Sequence, residues 1–185
     1  MLHTYLSMVS FSILLFFAVT GITLNHQGWF NGEPKASRFT GTLDLAMVNP
    51  PPGREVGRLE IVEALRSAHG IKAALKDFRV DDTEISITFK GPGYAADALI
   101  DRKKGTYDVT ESRLGLVAVI NDLHKGRDTG GVWADVIDIS AGLMVLVSLT
   151  GLILIFFLHK RLKTGLIAVA IGTAACIAIY KIWVS

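Results

Sequence analysis

Three stretches of the chain run apolar without a polar period. Residues 5–24 carry no formal charge, residues 136–158 are charged only at Asp138, and residues 165–183 only at Lys181, close to the end. At ~1.5 Å rise per residue, some 20 residues cover the ~30 Å hydrocarbon core of a bilayer, so each stretch predicts a membrane-spanning helix. No Lys or Arg precedes the first stretch, no small-x-small cleavage site follows Leu24, and the run is longer than a signal-peptide core; it reads as an uncleaved anchor. Between the first two spans the pattern shortens. Leu59, Val62, Leu65 and Ala68 recur at helical spacing and Gly70 supplies a stop, which predicts a helix over 59–69. β-rich runs follow at 77–80, 84–90, 94–101 and 106–110, with turn residues at Asp81-Asp82, Gly91-Pro92-Gly93 and Lys103-Lys104-Gly105. Residues 39–47 offer a further strand, Pro50-Pro51-Pro52-Gly53 a stiff linker, and 114–123 a short helix ahead of the second span. The expected fold class is an α-helical membrane protein with three transmembrane helices and an inserted α+β domain, a helix packed on an antiparallel sheet.

Charge adds a topology. Of 185 residues half are hydrophobic, and the segment 27–132 holds 15 basic and 15 acidic residues, so it is neutral. Counterion release gives such a segment no hold on nucleic acid, which excludes DNA or RNA as a partner. Lys160, Arg161 and Lys163 crowd the turn between the second and third spans, and the positive-inside rule assigns that turn to the cytoplasm. The N-terminus is then cytoplasmic too, and the inserted domain extracytoplasmic. The organisation expected is a first span over 1–26, an extracytoplasmic domain with its linkers over 27–132, and the second and third spans over 133–185. Trp29, Trp133 and Trp183 would all fall at the outer interface, where aromatic-belt anchoring is the ordinary role. Asp135 and Asp138 read as the start of the second helix, where carboxylates suit the dipole.

The candidate chemistry lies in the histidines. The single cysteine, Cys176, sits in an apolar run, which excludes a disulfide framework, an iron-sulfur cluster and a cysteine zinc site. Of five histidines, His3 and His26 bracket the first span while His124 precedes and His159 ends the second. In antiparallel neighbours, His3 and His159 would share the inner boundary, and His26 and His124 the outer one. Facing imidazoles are axial haem ligands, and Lys125 and Arg127 are placed to meet propionates at the outer site. Gly28, Gly126, Gly130 and Gly131 would leave room for a ring, although close helix packing accounts equally well for glycines within the spans. An interfacial preference for the amphipathic imidazole is the bland alternative for each histidine alone. His3 and His26 are 23 residues apart, about 140° round a helix of ~3.6 residues per turn, so they occupy different faces. His69, at the end of the soluble helix, reads as a dipole-compensating residue. No GxGxxG follows a strand, so no dinucleotide site is expected.

The helix, the hairpins and Ala98-Leu99-Ile100-Asp101 followed by Gly105-Thr106-Tyr107 resemble the PepSY domain over roughly 59–111. Leu2-His3 opening a span that closes with Thr20-Gly21 and Asn25-His26, then Leu123-His124-Lys125-Gly126 ahead of a span holding Thr150-Gly151-Leu152, resemble the PepSY-associated transmembrane family over nearly the whole chain. That resemblance implies the bacterial inner membrane, a periplasmic PepSY-like domain and, by analogy with haem-containing ferric-siderophore reductases, a transmembrane electron-transfer protein. It implies two b-type haems held by His3, His159, His26 and His124. A cytoplasmic or quinol donor would feed them, and an extracytoplasmic ferric chelate or redox protein would accept, so the enzyme class in view is a ferric reductase. Longer members have four or more spans against three here. A haem-free, membrane-anchored PepSY module that binds or restrains a protease is the rival reading. A His-lined divalent-metal transporter is weaker, since no Asp or Glu lies near a bilayer midplane.

Overall fold

In a computed structural model describing residues 2–30, 32–158 and 160–184, the apolar stretches form three long helices. These are α1 (Leu2–Asn25), α6 (Gly131–Phe157) and α7 (Leu162–Trp183), each long and apolar enough to cross a membrane. Between them the order is α2 (Gln27–Phe30), β1 (Lys35–Thr42), α3 (Leu45–Val48), α4 (Arg58–His69), β2 (Ala74–Val80), β3 (Glu84–Gly91), β4 (Tyr94–Asp101), β5 (Thr106–Arg113) and α5 (Leu116–Lys125). The chain divides into two units, residues 1–15 with 138–185, and residues 16–137.

The first unit is helical. Its side chains are mostly exposed, with Ser10 buried, which suits a lipid-facing surface. Gly165 lets the start of α7 close on the Ile155 side chain of α6, where a Cβ would collide. The first turn of α6 carries no acid. Because the helix begins at Gly131, Asp135 and Asp138 fall in its second turn, one turn later than the dipole argument anticipated.

The second unit holds the α+β domain. All strand pairs are antiparallel, in the order β1-β5-β4-β3-β2. Period-two alternation turns Ile85, Ile87 and Phe89 of β3, Ala96, Ala98 and Ile100 of β4, and Tyr107 and Val109 of β5 to one face, where Ile61, Val62 and Leu65 of α4 close the core. Of the stripe read from the sequence, Val62 and Leu65 are buried, whereas Leu59 and Ala68 at its ends are exposed and Ile61 joins the core in their place. The opposite face is polar: Arg38 pairs with Asp108, and Thr88 donates to Asp97 at 2.7 Å. The strand expected at 39–47 lies earlier, at Lys35–Thr42. Asp44 caps α3 by accepting from the Ala46 N–H, which ends the extended run.

The hairpin between β3 and β4 ties the sheet to α5. Gly93 has φ +63°, the Leu114 N–H donates to its carbonyl at 2.8 Å, and a Cβ there would stand 2.6 Å from Val119 Cγ2. Only glycine meets both demands.

Candidate histidine seats

Each unit contains one histidine seated against a threonine of another helix. In the first, His3 in the opening turn of α1 places Nδ1 2.9 Å from the Oγ1 of Thr150 in α6. The Thr150 hydroxyl donates back to the Leu146 carbonyl at 2.9 Å and the Val147 carbonyl at 3.0 Å. In the second, His124 near the end of α5 places Nδ1 2.6 Å from the Oγ1 of Thr20 in α1, and the Thr20 hydroxyl donates to the Phe16 carbonyl at 2.7 Å. Both threonines are followed by glycine, Gly151 and Gly21. A Cβ at Gly21 would stand 3.8 Å from His124 Cε1, so the imidazole lies over the space the glycine leaves.

The second seat is the better enclosed. Thr20 is 2% exposed, and Phe17, one turn earlier, meets the His124 ring edge-on at 5.1 Å. One further turn along, the Thr23 hydroxyl donates to Oδ1 of the buried Asn121 at 2.7 Å, a second polar tie between α1 and α5. The end of α5 is fixed from outside the seam. Gly126 caps it in the left-handed conformation, the Trp133 indole donates to the Leu123 carbonyl at 2.8 Å, and Asp122 accepts the Gly93 N–H at 2.9 Å. In the first seat, Ser7 donates to the His3 carbonyl at 2.7 Å and its oxygen lies 3.4 Å from His3 Nε2.

The other predicted site residues are distributed differently. The His26 N–H donates to the Ile22 carbonyl, extending the helix by one residue, and its ring stacks on Trp29 with centroids 3.9 Å apart. His26 and Thr20 are six residues apart, about 120° round the helix and ~9 Å along it. His26 therefore lies a third of the way round the helix from the Thr20 position that meets His124. Among the described residues, no hydrogen bond or ring contact joins His26 to His124. His159 lies outside the described residues. Lys125 and Arg127 are exposed beside the His124 seat, as are Lys160 and Arg161 between α6 and α7 and Lys163 in the first turn of α7. His69 is built into the sheet domain, with Nε2 3.0 Å from the Tyr107 hydroxyl and its ring stacked on Phe39. Thr20-Gly21 and Thr150-Gly151 entered the sequence reading only as marks of a family resemblance, with no part in a site given to the threonines; Thr-Gly occurs five times in the chain, so the dipeptide alone does not single these two out.

An imidazole seated through Nδ1 can offer Nε2 to a metal. Among the described residues, no three His, Cys, Asp or Glu side chains gather into a cation cage. A metal at either seat would have to bring most of its coordination sphere with it, as an iron porphyrin does. At the second seat the edge-on contact of Phe17 with His124 suits a flat apolar ring, so the residues present there fit haem.

Across residues 1–185 the sequence matches the model of one protein family, described as "Putative PepSY_TM-like". No curated protein and no solved structure matches the chain.

Proposed function

The chain belongs to the PepSY_TM-like family over its whole length, and from that premise we propose that it is a haem-binding transmembrane electron-transfer protein. Electrons would pass from a cytoplasmic or quinol donor to an extracytoplasmic acceptor, a ferric chelate being the acceptor class that the family resemblance suggests. The observation that carries the reading is the repeated seat, in which Nδ1 of His3 and of His124 meets a threonine hydroxyl, while Nε2 meets only the Ser7 oxygen at 3.4 Å in His3 and no hydrogen-bond partner among the described residues in His124.

His3 and His124 are the anchored ligands, with His159 and His26 as their respective partners for an inner and an outer haem b. When bound, the haem supplies one-electron iron chemistry, and two axial imidazoles leave no open iron position, which favours electron transfer over oxygen activation. Lys125 and Arg127 offer cations to the outer propionates. The positive turn at Lys160, Arg161 and Lys163 supports a cytoplasmic location for that turn and for the N-terminus, with the sheet domain periplasmic.

The test is the absorption spectrum of the detergent-purified chain, oxidised and dithionite-reduced, with a pyridine haemochrome assay. Low-spin b-type spectra with two haems per chain, one lost in H124A or H26A and the other in H3A or H159A, are expected. A chain that stays colourless after expression with added haem overturns the reading and leaves a membrane-anchored binding module.

A further inference from the structure

We propose that Thr20 and Thr150 are positioning residues that hold His124 and His3 as the Nδ1–H tautomer, so that each Nε2 carries its lone pair outward. The argument rests on one proton. A threonine hydroxyl has a single hydrogen and a backbone carbonyl has none. We assign the hydrogen of Thr20 to the Phe16 carbonyl at 2.7 Å and that of Thr150 to the Leu146 carbonyl at 2.9 Å, the back-bond that a threonine within a helix makes to the preceding turn. Each Oγ1 can then only accept along its short contact to a histidine Nδ1, 2.6 Å for His124 and 2.9 Å for His3. The Nδ1 atoms must donate, and in the neutral ring that fixes Nε2 as the acceptor.

Ser7 does not reverse this for His3. Its hydrogen goes to the His3 carbonyl at 2.7 Å, and 3.4 Å is too long for a competing bond to Nε2. Nε2 of His124 has no hydrogen-bond partner among the described residues. A ligating histidine is held in this way by an outer partner on its other nitrogen. Here that partner is a neutral hydroxyl rather than a carboxylate, which steers the ring without adding negative charge beneath a metal. The relay recurs on two separate helices, α1 for Thr20 and α6 for Thr150, each time with the same atoms. The tautomer assignment stands on these hydrogen bonds alone; its bearing on a haem rests on the reading proposed above.

The experiment is two-dimensional proton–nitrogen NMR of the full chain in detergent, haem-free, with 15N-labelled histidine and assignment from the H3A and H124A variants. His124 and His3 are expected as Nδ1–H tautomers. In T20V, nearly the same shape without the acceptor, His124 should lose that preference while the His3 signal stays fixed as an internal check on folding. T20S should restore it, and T150V and T150S should act in the same way on His3. An Nε2–H signal for His124 or His3 in the native chain, or no change in T20V and T150V, overturns the assignment. The haem-loaded chain provides the second readout. T20V should shift the midpoint potential and electron paramagnetic resonance signature of one haem while the haem count holds. Correct tautomers in a chain that never binds haem would uphold the threonine relay and refute the haem reading, so the two failures are distinct.

Discussion

Asp122 of α5 accepts the backbone N–H of Gly93, in the turn between β3 and β4, at 2.9 Å. The bond joins the sheet domain to the helix that carries His124 two residues later. G93A would force an L-residue to φ +63° and drive its Cβ against Val119. The left-handed conformation costs roughly 1–2 kcal/mol and overpacking about 1–3 kcal/mol, so a clear loss of stability is expected in thermal unfolding. D122A should be milder, about 1 kcal/mol for one hydrogen bond. Its specific mark is faster hydrogen exchange at the Gly93 amide with unchanged exchange in β1, and equal acceleration in both places would argue against a local tie.

Two carboxylates of the sheet domain, Asp101 and Asp108, titrate below the ordinary value. The Asp108 carboxyl is held below its ordinary value chiefly by its hydrogen bond from Arg38, and Asp101 chiefly by the backbone N–H of Lys104, helped by that of Lys103. A folded value below the unfolded one means the contribution to stability is present above the ordinary carboxylate value of about 3.9 and is lost as pH falls through the folded value. Side-chain carboxyl NMR titration should therefore place both midpoints below 3.9. R38A should raise the Asp108 midpoint, whereas K104A should leave Asp101 low, because a backbone donor survives the substitution. A large rise for Asp101 in K104A would show that the lysine charge dominates instead.

The sequence made the architecture legible where period and punctuation are strong. All three spans lie within a few residues of the apolar stretches, and β4 is bounded by the turns that the Pro92-Gly93 and Lys103-Lys104-Gly105 signals announce. β1 was displaced because Lys35–Thr42 is an exposed edge strand with no buried alternate row, so nothing in its pattern separates it from a loop. The histidines were legible as boundary residues but their neighbours were not. That His124 faces Thr20 depends on Gly126 ending α5 and Trp133 holding its last turn, both tertiary facts that no spacing along the chain encodes.

His69 offers a control that separates ligation from architecture. Its Nε2 meets the Tyr107 hydroxyl and its ring meets Phe39, an arrangement confined to the sheet domain. Y107F removes one hydrogen bond and should cost about 1 kcal/mol in unfolding free energy. Neither Y107F nor H69A should change the haem content of the purified chain, read by pyridine haemochrome. A selective loss of haem in H69A, with the sheet domain still folded, would make His69 a ligand in place of one of the other four.

Gly21 sets the distance between α1 and the His124 ring, which makes side-chain size there a graded test of the seat. A Cβ would lie 3.8 Å from His124 Cε1, an ordinary van der Waals separation, so G21A should be accommodated with the Thr20 to His124 bond intact. A leucine places further carbons where the ring now lies, and since packed helices yield little, the ring must leave Thr20. G21L is expected to abolish the Nδ1–H signature of His124 and to remove one haem, while G21A preserves both. If G21L keeps the tautomer and both haems, His124 does not depend on the space that Gly21 leaves. If G21A alone removes the haem, the porphyrin itself occupies that space and the seat tightens further when it binds.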